Sequence, residues 1–532
     1  MEVGIDFGTT YSTLSFSPAR GTDGCVVERD TIYIPTVVGY RADGTYAIGR
    51  GALLEPGLVI YRDIKRYFGM NKYNERQFRE KLKPQIEIVV GEWSCGIGPV
   101  GGARNQTRSV IGLAAHFVSA LVQLAVKTTG QQVTVSVCSV PAEYNTYFRS
   151  FIFEACRMAD ISVQAVVNEP TAAGLSTFIK IPKGSIKYLL VYDFGGGTFD
   201  SSLMVVGNSY VCVLDSAGDN HLGGRDVDNA LLDWLEQNAS LDVSNFSQFA
   251  MEALKIDMVD NPLKTLRKII SKTGTVSEFV FTYADFARLC APFVERAKTV
   301  VKELLRRNSV RECTAVLIGG SSVLPGVSNS VASLSGVRRV IFERTTYRAA
   351  VALGAALYAQ TFSGVNRYRL IDSVSSTLAD ERLPLKAVAV FPKGHPIPAV
   401  VEVDYTMPNY DTGVVLHEGE NPFINNLPRT YSADVKLTDF RARESYKQKF
   451  SVSEDGRLEV SMGDRMLENL VKPKVPPRSD FPEIFVSSDD RRIGPEVAEI
   501  KAFYAKFLNK PNLPQLEKVE RSLIYKANGL AG

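Results

Sequence analysis

The chain carries one phosphate-shaped turn twice. Near the start, Val3-Gly4-Ile5-Asp6-Phe7-Gly8-Thr9-Thr10-Tyr11 sets a short apolar run, an aspartate and a glycine turn with two hydroxyls in that order. Far downstream, Leu190-Val191-Tyr192-Asp193-Phe194-Gly195-Gly196-Gly197-Thr198 repeats the order. A glycine backbone approaches a phosphate without an intervening side chain, and successive N–H groups form an anion-binding nest. An aspartate ahead of such a turn is a hard oxygen ligand suited to magnesium or its bound waters. Two copies predict two related lobes closing on one nucleotide–metal complex.

Further residues gain meaning beside this pair. Lys65, in Asp63-Ile64-Lys65-Arg66-Tyr67-Phe68-Gly69, sits in a helical context from which it could reach a phosphate; taken alone it reads as a solvated surface lysine. Glu169, in Val166-Val167-Asn168-Glu169-Pro170-Thr171-Ala172-Ala173, ends a strand just before a helix, where a dipole-stabilised helix acid is the alternative. Ser139-Val140-Pro141-Ala142 closes a buried strand. Gly218-Asp219-Asn220-His221-Leu222-Gly223-Gly224-Arg225-Asp226 is a glycine turn opening a helix. His221 has no histidine or cysteine at ligand spacing and reads as structural. Ile318-Gly319-Gly320-Ser321-Ser322-Val323-Leu324-Pro325 is another strand–glycine–helix step.

These motifs need cores to hold them, and 532 residues with 45% hydrophobic content supply several. A net charge of +3 gives no argument for nucleic acid or an acidic membrane surface. Seven cysteines with no Cys-x-x-Cys pair read as reduced core thiols of an intracellular protein. No basic segment followed by an apolar one opens the chain, which argues against secretion. The longest apolar stretch, 110–126, contains His116, Ser119 and Gln123 and reads as a buried helix, not a transmembrane segment.

Residues 1–362 alternate strand and helix patterns, the signature of α/β layers. Helical spacing covers 107–128 and 284–307, buried strands cover 133–140 and 314–318, and the small residues of 351–357 predict a closely packed helix. A polar linker is expected over 363–384. Short β-like runs over 385–470, with Asp455-Gly456 as a hairpin signal, predict a small β-sandwich. The remainder, 471–532, starts rich in proline and charge, which predicts an extended segment, with short helices expected at 495–508 and 516–525.

Taken together and in order, the motifs over 1–362 resemble the ATPase domain of the seventy-kilodalton heat-shock chaperones. The resemblance implies an α/β fold with a duplicated, actin-like (ribonuclease-H-like) two-lobed ATPase domain that takes ATP or ADP with Mg2+. The β region, through Phe391-Pro392-Lys393-Gly394-His395-Pro396 and Val415-Leu416-His417-Glu418-Gly419-Glu420, is more weakly similar to that family's peptide-binding sandwich. Carried over, Thr9, Thr10, Tyr11, Gly195, Gly196, Gly197 and Thr198 cradle the β- and γ-phosphates, and Asp6 and Asp193 hold magnesium through its waters. Lys65 stabilises charge on the transferring phosphoryl group, while Glu169 and Asp200 orient the attacking water. Gly319, Gly320 and Ser321 lie along the nucleoside, and Arg267, Lys268 and Ser271 stand roughly where the family has its adenosine-contacting helix.

The chain also departs from the family pattern. Val323 occupies the place of an adenine-stacking arginine, and Arg348 that of an aspartate. Tyr368-Arg369-Leu370-Ile371-Asp372-Ser373-Val374 replaces an acidic, leucine-rich linker, and after Met462 the family's long helical lid has no counterpart. An intact ATPase core, an altered β region and a cut-down tail look like the heat-shock homologue of closteroviruses, filamentous plant viruses. That resemblance implies a weak Mg-dependent ATPase of the virion tail, acting in tail assembly and in movement through plasmodesmata. Its implied partners are viral coat and other virion proteins and host plasmodesmal or cytoskeletal proteins, and its implied places are the virion tail, the host cytoplasm and plasmodesmata. A nucleotide-binding structural protein with little turnover and a conventional peptide-binding chaperone stand as alternatives. A sugar kinase of the same superfold is disfavoured by Gly-Asp-Asn-His-Leu-Gly-Gly.

Overall fold

In the computed structural model each phosphate turn joins the two strands of an antiparallel hairpin. Glu2–Asp6 pairs with Tyr11–Phe16, and Tyr188–Phe194 pairs with Phe199–Val206. The described residues are 1–16, 24–82, 84, 86–182, 184–239, 248–270, 276–383, 386–473, 475 and 485–486. The helices expected at 495–508 and 516–525 lie outside them, as does Ser271.

The repeated motif is a repeated topology. One sheet runs Val163–Asn168, Val135–Val140, Glu2–Asp6, Tyr11–Phe16, Ile34–Pro35. The other runs Val337–Ile341, Cys313–Ile318, Tyr188–Phe194, Phe199–Val206, Tyr210–Asp219, Arg369–Ile371. Their first four strands agree in sense: two parallel pairings, then the antiparallel hairpin. Val3, Ile5, Leu190 and Tyr192 are buried along the inner strands, which explains their near-continuous apolar character. The result is the α/β, duplicated two-lobed actin-like architecture, followed by a β-sandwich.

Helices cover these sheets where the spacing predicts them. Val110–Thr129 is long and apolar enough to cross a membrane, but it packs inside the first lobe, with Phe117 against Phe7 at 5.8 Å between ring centroids. Tyr283–Arg307 starts at a capping box formed by Thr282 and Asp285 and buries Phe286, Val294, Val301 and Leu305 in the second lobe. Between the lobes, Ala350–Phe362 crosses Glu169–Phe178 so closely that a β-carbon on Gly354 would lie 1.7 Å from the Ala172 carbonyl oxygen. All seven cysteines are free thiols.

The expected polar linker is irregular in part but carries two strands. Arg369–Ile371 adds a parallel strand to the second lobe's sheet, beside Tyr210–Asp219. Asp372 is buried and accepts a 2.9 Å hydrogen bond from the Asn168 amide. Leu378–Leu383 is already a strand of the sandwich. A three-residue strand is too short for periodicity to register, and its pairing partner lies about 160 residues away in sequence.

The sandwich stacks two four-stranded sheets over Phe391, Leu416, Tyr431, Phe450 and Val460. Gly456, at φ +74°, turns the predicted hairpin between Ser445–Val452 and Leu458–Met462. The module leans on the first lobe. The Glu418 carboxylate accepts from the Thr146 N–H at 2.9 Å, Lys393 pairs with Glu143 at 3.3 Å, and the Arg457 guanidinium lies 5.2 Å from the Phe153 ring. The chain then returns: the Leu470 N–H donates to the Ser432 carbonyl at 2.7 Å, and Val471, 2% exposed, enters the first lobe's core.

Candidate functional site

The two phosphate turns face one another across the cleft between the lobes, at a distance only glycine allows. A β-carbon on Gly196 would stand 2.1 Å from Thr10 Oγ1, and one on Gly197 2.7 Å from Thr9 Oγ1. The second turn's carbonyls are tied away from the cleft. Gly195 O accepts from the Gly224 N–H at 3.0 Å and from the Ser321 hydroxyl at 2.8 Å, and Gly196 O accepts from the Arg225 N–H at 2.8 Å. In the first turn the Gly8 N–H donates to Ser12 Oγ, and Thr10 O accepts from the Thr36 N–H. Thr10 Oγ1 is buried with no hydrogen-bond partner, a donor that a phosphate oxygen would satisfy.

Thr9, Thr10, Tyr11, Gly195, Gly196, Thr198, Gly319, Gly320 and Ser321 line this cleft, while Gly197 packs against Gly223. Arg267 is not among the residues that line it. Arg267 and Lys268 lie on the strand Thr265–Ile270, paired with Val276–Thr282, where Arg267 is exposed. The helix expected there gives way to a hairpin because Phe279 and Phe281 pack their rings on Trp234. The helix that does face the cleft is Gln248–Asp260, which brings Glu252, Lys255, Ile256 and Val259 to it. Sequence reasoning passed over it, although 252, 255, 256 and 259 recur at i, i+3, i+4 and i+7.

Lys65 and Glu169 form a buried ion pair, with Lys65 only 3% exposed. The short helical turn Ile64–Tyr67 that carries Lys65 is held from the other lobe. Asp63 bonds Arg225 at 2.7 Å, and Arg66 bonds Asp226 at 3.0 Å. Burial would raise the Asp63 carboxyl, but the Arg225 and Arg62 guanidiniums outweigh it and hold Asp63 near about 2. Arg225 also reaches Glu252 and Asp228 at 3.2 and 3.3 Å, so this bridge extends to the helix on the cleft's far wall. His221 donates its backbone N–H to Asp219 and meets Phe78 edge-on, a structural role.

Asp6, Asp193, Asp200 and Glu169 lie close enough to repel one another. Burial, then the Glu169 charge, push Asp6 up to about 7 and Asp200 up to about 8; burial, Glu169 and Asp200 raise Asp193. Ser139 Oγ donates to Asp6 at 3.2 Å, and the Glu143 N–H donates to Asp200 at 3.2 Å. Lys65 is the cation that offsets this charge on Asp6, Asp193 and Asp200, and a divalent ion would relieve the rest. Among the described residues no three Asp, Glu, His or Cys groups converge into a metal cage. Magnesium would therefore fit here with most of its water shell and a substrate phosphate, as that ion prefers.

A stability prediction follows from these carboxyls. Unfolded aspartates titrate near about 3.9, so the fold favours the protonated form and loses stability progressively as pH rises from there to about 7 for Asp6 and about 8 for Asp200. His116 and His221, lowered by burial to about 3 and about 4, act in the opposite sense only below about 6.5. The nucleotide-free melting temperature should fall between pH 6.5 and 8.5, and Mg-nucleotide should flatten the slope. A curve that rises over this range in the free protein contradicts the assignment.

One wall of the cleft is aliphatic, with Ile256, Val259, Val323 and Leu324. Arg348 lies 4.0 Å from the Tyr33 ring centroid and 4.8 Å from that of Tyr11, so its charge stacks on the phosphate-side wall. Val323→Arg should tighten adenine-nucleotide binding by stacking worth about 0.5–2 kcal/mol, read by titration with a fluorescent ADP analogue. Unchanged affinity would show that position 323 does not face the base.

The Hsp70 protein family matches residues 2–409. The movement protein Hsp70h of Grapevine leafroll-associated virus 3 (isolate United States/NY1) is 35% identical over 478 residues, spanning 88% of this chain and 86% of that protein. Its counterpart in Beet yellows virus (isolate Ukraine) is 33% identical over 82% of this chain and 76% of its own length. The chaperone protein DnaK of Thermus thermophilus is 30% identical over 79% and 71% respectively. ATP or ADP with Mg2+ is the general ligand of that family. With its repeated hairpins and facing glycine turns, the chain belongs to the Hsp70 family.

Proposed function

We propose that residues 1–362 bind and hydrolyse Mg-ATP, and that the whole protein serves virion tail assembly and cell-to-cell movement through plasmodesmata. The observation that carries the catalytic half is the buried Lys65–Glu169 pair standing beside Asp6 and Asp193 between two glycine turns. Phosphoryl transfer asks for positioning and charge stabilisation more than for a covalent partner, and these residues offer both. The turns at Gly8–Tyr11 and Gly195–Thr198 bind the β- and γ-phosphates through N–H and hydroxyl groups. Lys65 offsets charge on the transferring group, while Glu169 and Asp200 orient the attacking water. Magnesium, when bound beside Asp6 and Asp193, supplies charge neutralisation between the phosphates. Gly319, Gly320 and Ser321 border the nucleoside.

The biological half rests on the relatives named movement protein, which cover most of the chain. Coat and other virion proteins, with host plasmodesmal or cytoskeletal proteins, are the proposed partners, and the virion tail, host cytoplasm and plasmodesmata the proposed sites of action. The aliphatic wall of the cleft favours a second reading, a nucleotide-stabilised structural component with little turnover. Single-turnover hydrolysis with and without Mg2+ separates the two. Mg-dependent product formation supports the enzyme, whereas binding without product supports the structural component.

A further inference from the structure

Lys65 sits on a turn that is rooted in one lobe and held from the other. Ile64 and Tyr67 bury themselves in the first lobe's core, and the Lys65 carbonyl accepts from the Tyr144 hydroxyl at 3.2 Å. On either side of the lysine, Asp63 and Arg66 reach across the cleft to two consecutive residues of the helix Gly224–Ala239. That helix places Val227, Leu231 and Leu235 in the second lobe's core. Arg225 Nε donates to Asp63 at 2.7 Å, and Arg66 donates to Asp226 at 3.0 Å. Asp63 holds a left-handed backbone there, φ +56°, a conformation uncommon outside glycine that the surrounding contacts must maintain. Asp228 and Glu252, at 3.3 and 3.2 Å, fix the buried Arg225 guanidinium from its own lobe. The same helix start also holds the second phosphate turn. The Gly224 and Arg225 N–H groups donate to the Gly195 and Gly196 carbonyls at 3.0 and 2.8 Å. Three consecutive residues, Gly224-Arg225-Asp226, thus join the phosphate turn of one lobe to the lysine turn of the other.

We propose that Arg225 and Asp226 are positioning residues for Lys65. They register the lysine turn against the second phosphate turn, so that Lys65 stands at its working place only while the lobes are closed. The inference rests on the catalytic reading of Lys65 given above and adds what sets its place. Lys65 and the second phosphate turn must act on the same phosphoryl group, yet they come from different lobes. A misplacement of about 1 Å can cost about 10²-fold in rate. The Lys65–Glu169 pair orients the ammonium, and the two cross-cleft pairs orient the backbone that carries it. Asp63, Arg66, Arg225 and Asp226 are not among the residues that line the cleft, so they act through Lys65 rather than on the nucleotide. Opening the cleft parts both pairs and with them the link between lysine and phosphate turn. Charge stabilisation is thereby withdrawn from any nucleotide in the open state.

The test uses the full-length protein with Arg66→Gln, Asp226→Asn, the double variant and Arg225→Lys. Asparagine keeps an oxygen for the Gly223 N–H that Asp226 accepts at 2.8 Å. Lysine keeps the charge among Asp63, Asp228 and Glu252, so the fold survives, but it lacks the planar fork that spans them. Each single variant should slow single-turnover hydrolysis by about 10–10²-fold. Affinity for a fluorescent ADP analogue should stay within about threefold of wild type. The double variant should be no slower than Arg66→Gln or Asp226→Asn, since each of those already breaks the same pair. Hydrogen exchange in the Mg-ADP complex reads the turn without turnover. The Arg66 and Phe68 amides, bonded to the Asp63 and Lys65 carbonyls at 2.9 and 3.2 Å, should exchange faster in the variants, and the helix Val110–Thr129 should not. Wild-type hydrolysis in the single variants, effects that multiply in the double variant, an affinity loss as large as the rate loss, or unchanged exchange at Arg66 and Phe68 overturns the assignment. If wild type itself forms no product, the catalytic reading fails, and exchange alone decides whether the two pairs hold the lysine turn: faster exchange supports it, unchanged exchange overturns it.

Discussion

Lys65→Ala should slow single-turnover hydrolysis by about 10²–10³-fold and also lower the melting temperature. The sequence suggests a milder result, in which a lysine that supplies charge rather than packing is removed without harm to the fold. The structure changes the second half of that expectation. Lys65 is 3% exposed and its ammonium is bonded to Glu169, so truncation strands a carboxylate among three others. Breaking a buried pair by removing one partner costs about 3–5 kcal/mol, and about 1 kcal/mol moves the midpoint of a region of about 360 residues by about 1.3 °C. The midpoint should thus drop by about 4–7 °C. Loss of charge stabilisation in the transition state should reduce the rate by about 10²–10³-fold. The two effects separate in Lys65→Met/Glu169→Gln, which removes both partners of the pair: its midpoint should recover in large part, its turnover should not. Unchanged hydrolysis in Lys65→Ala would refute the catalytic role, and an unchanged midpoint would refute the buried pair.

Truncation after Met462 should damage the ATPase region as well as the β-sandwich. A tail that begins in proline and charge reads as a dispensable docking arm, whose loss weakens partner binding and spares nucleotide binding. The described residues beyond Met462 contradict that reading. The Leu467 carbonyl accepts the Tyr431 hydroxyl at 2.7 Å, Val471 lies in the first lobe's core, and Phe485 packs on Tyr46. Burying a valine side chain is worth about 1.5–3 kcal/mol, and emptying its place opens a hole in the lobe that holds Asp6 and the first phosphate turn. The expected result is a lower melting midpoint and weaker Mg-ADP binding. Wild-type nucleotide affinity in the longer truncation would show that the tail is not part of this lobe.

Much of the site is written locally. A glycine turn between an aspartate and a hydroxyl residue carries its own backbone geometry, so Thr9, Thr10, Gly195, Gly196 and Thr198 can be picked out by type and spacing, and they line the cleft. The long helices at 110–129 and 283–307 declare themselves by an apolar face repeated over many turns. Residues that act through long-range pairing leave no such mark. Arg225 gains its place by bonding Asp63 across the cleft, and nothing in either segment names the other. Arg267 falls outside the cleft lining for the same reason, since the aromatic packing beside its strand comes from Trp234.

The sequence by itself determined the duplicated turns, the aspartates before them and the α/β order that follows, because each depends on backbone freedom, residue type or short-range periodicity. Only the tertiary structure decided that the two turns touch through glycine, that Lys65 pairs with Glu169 and is braced from the opposite lobe, and that residues 369–371 and 485–486 extend sheets begun far earlier in the chain. Those features arise from the packing of distant segments and from charges brought together by burial, and a short edge strand has no identity until the strand it completes stands beside it.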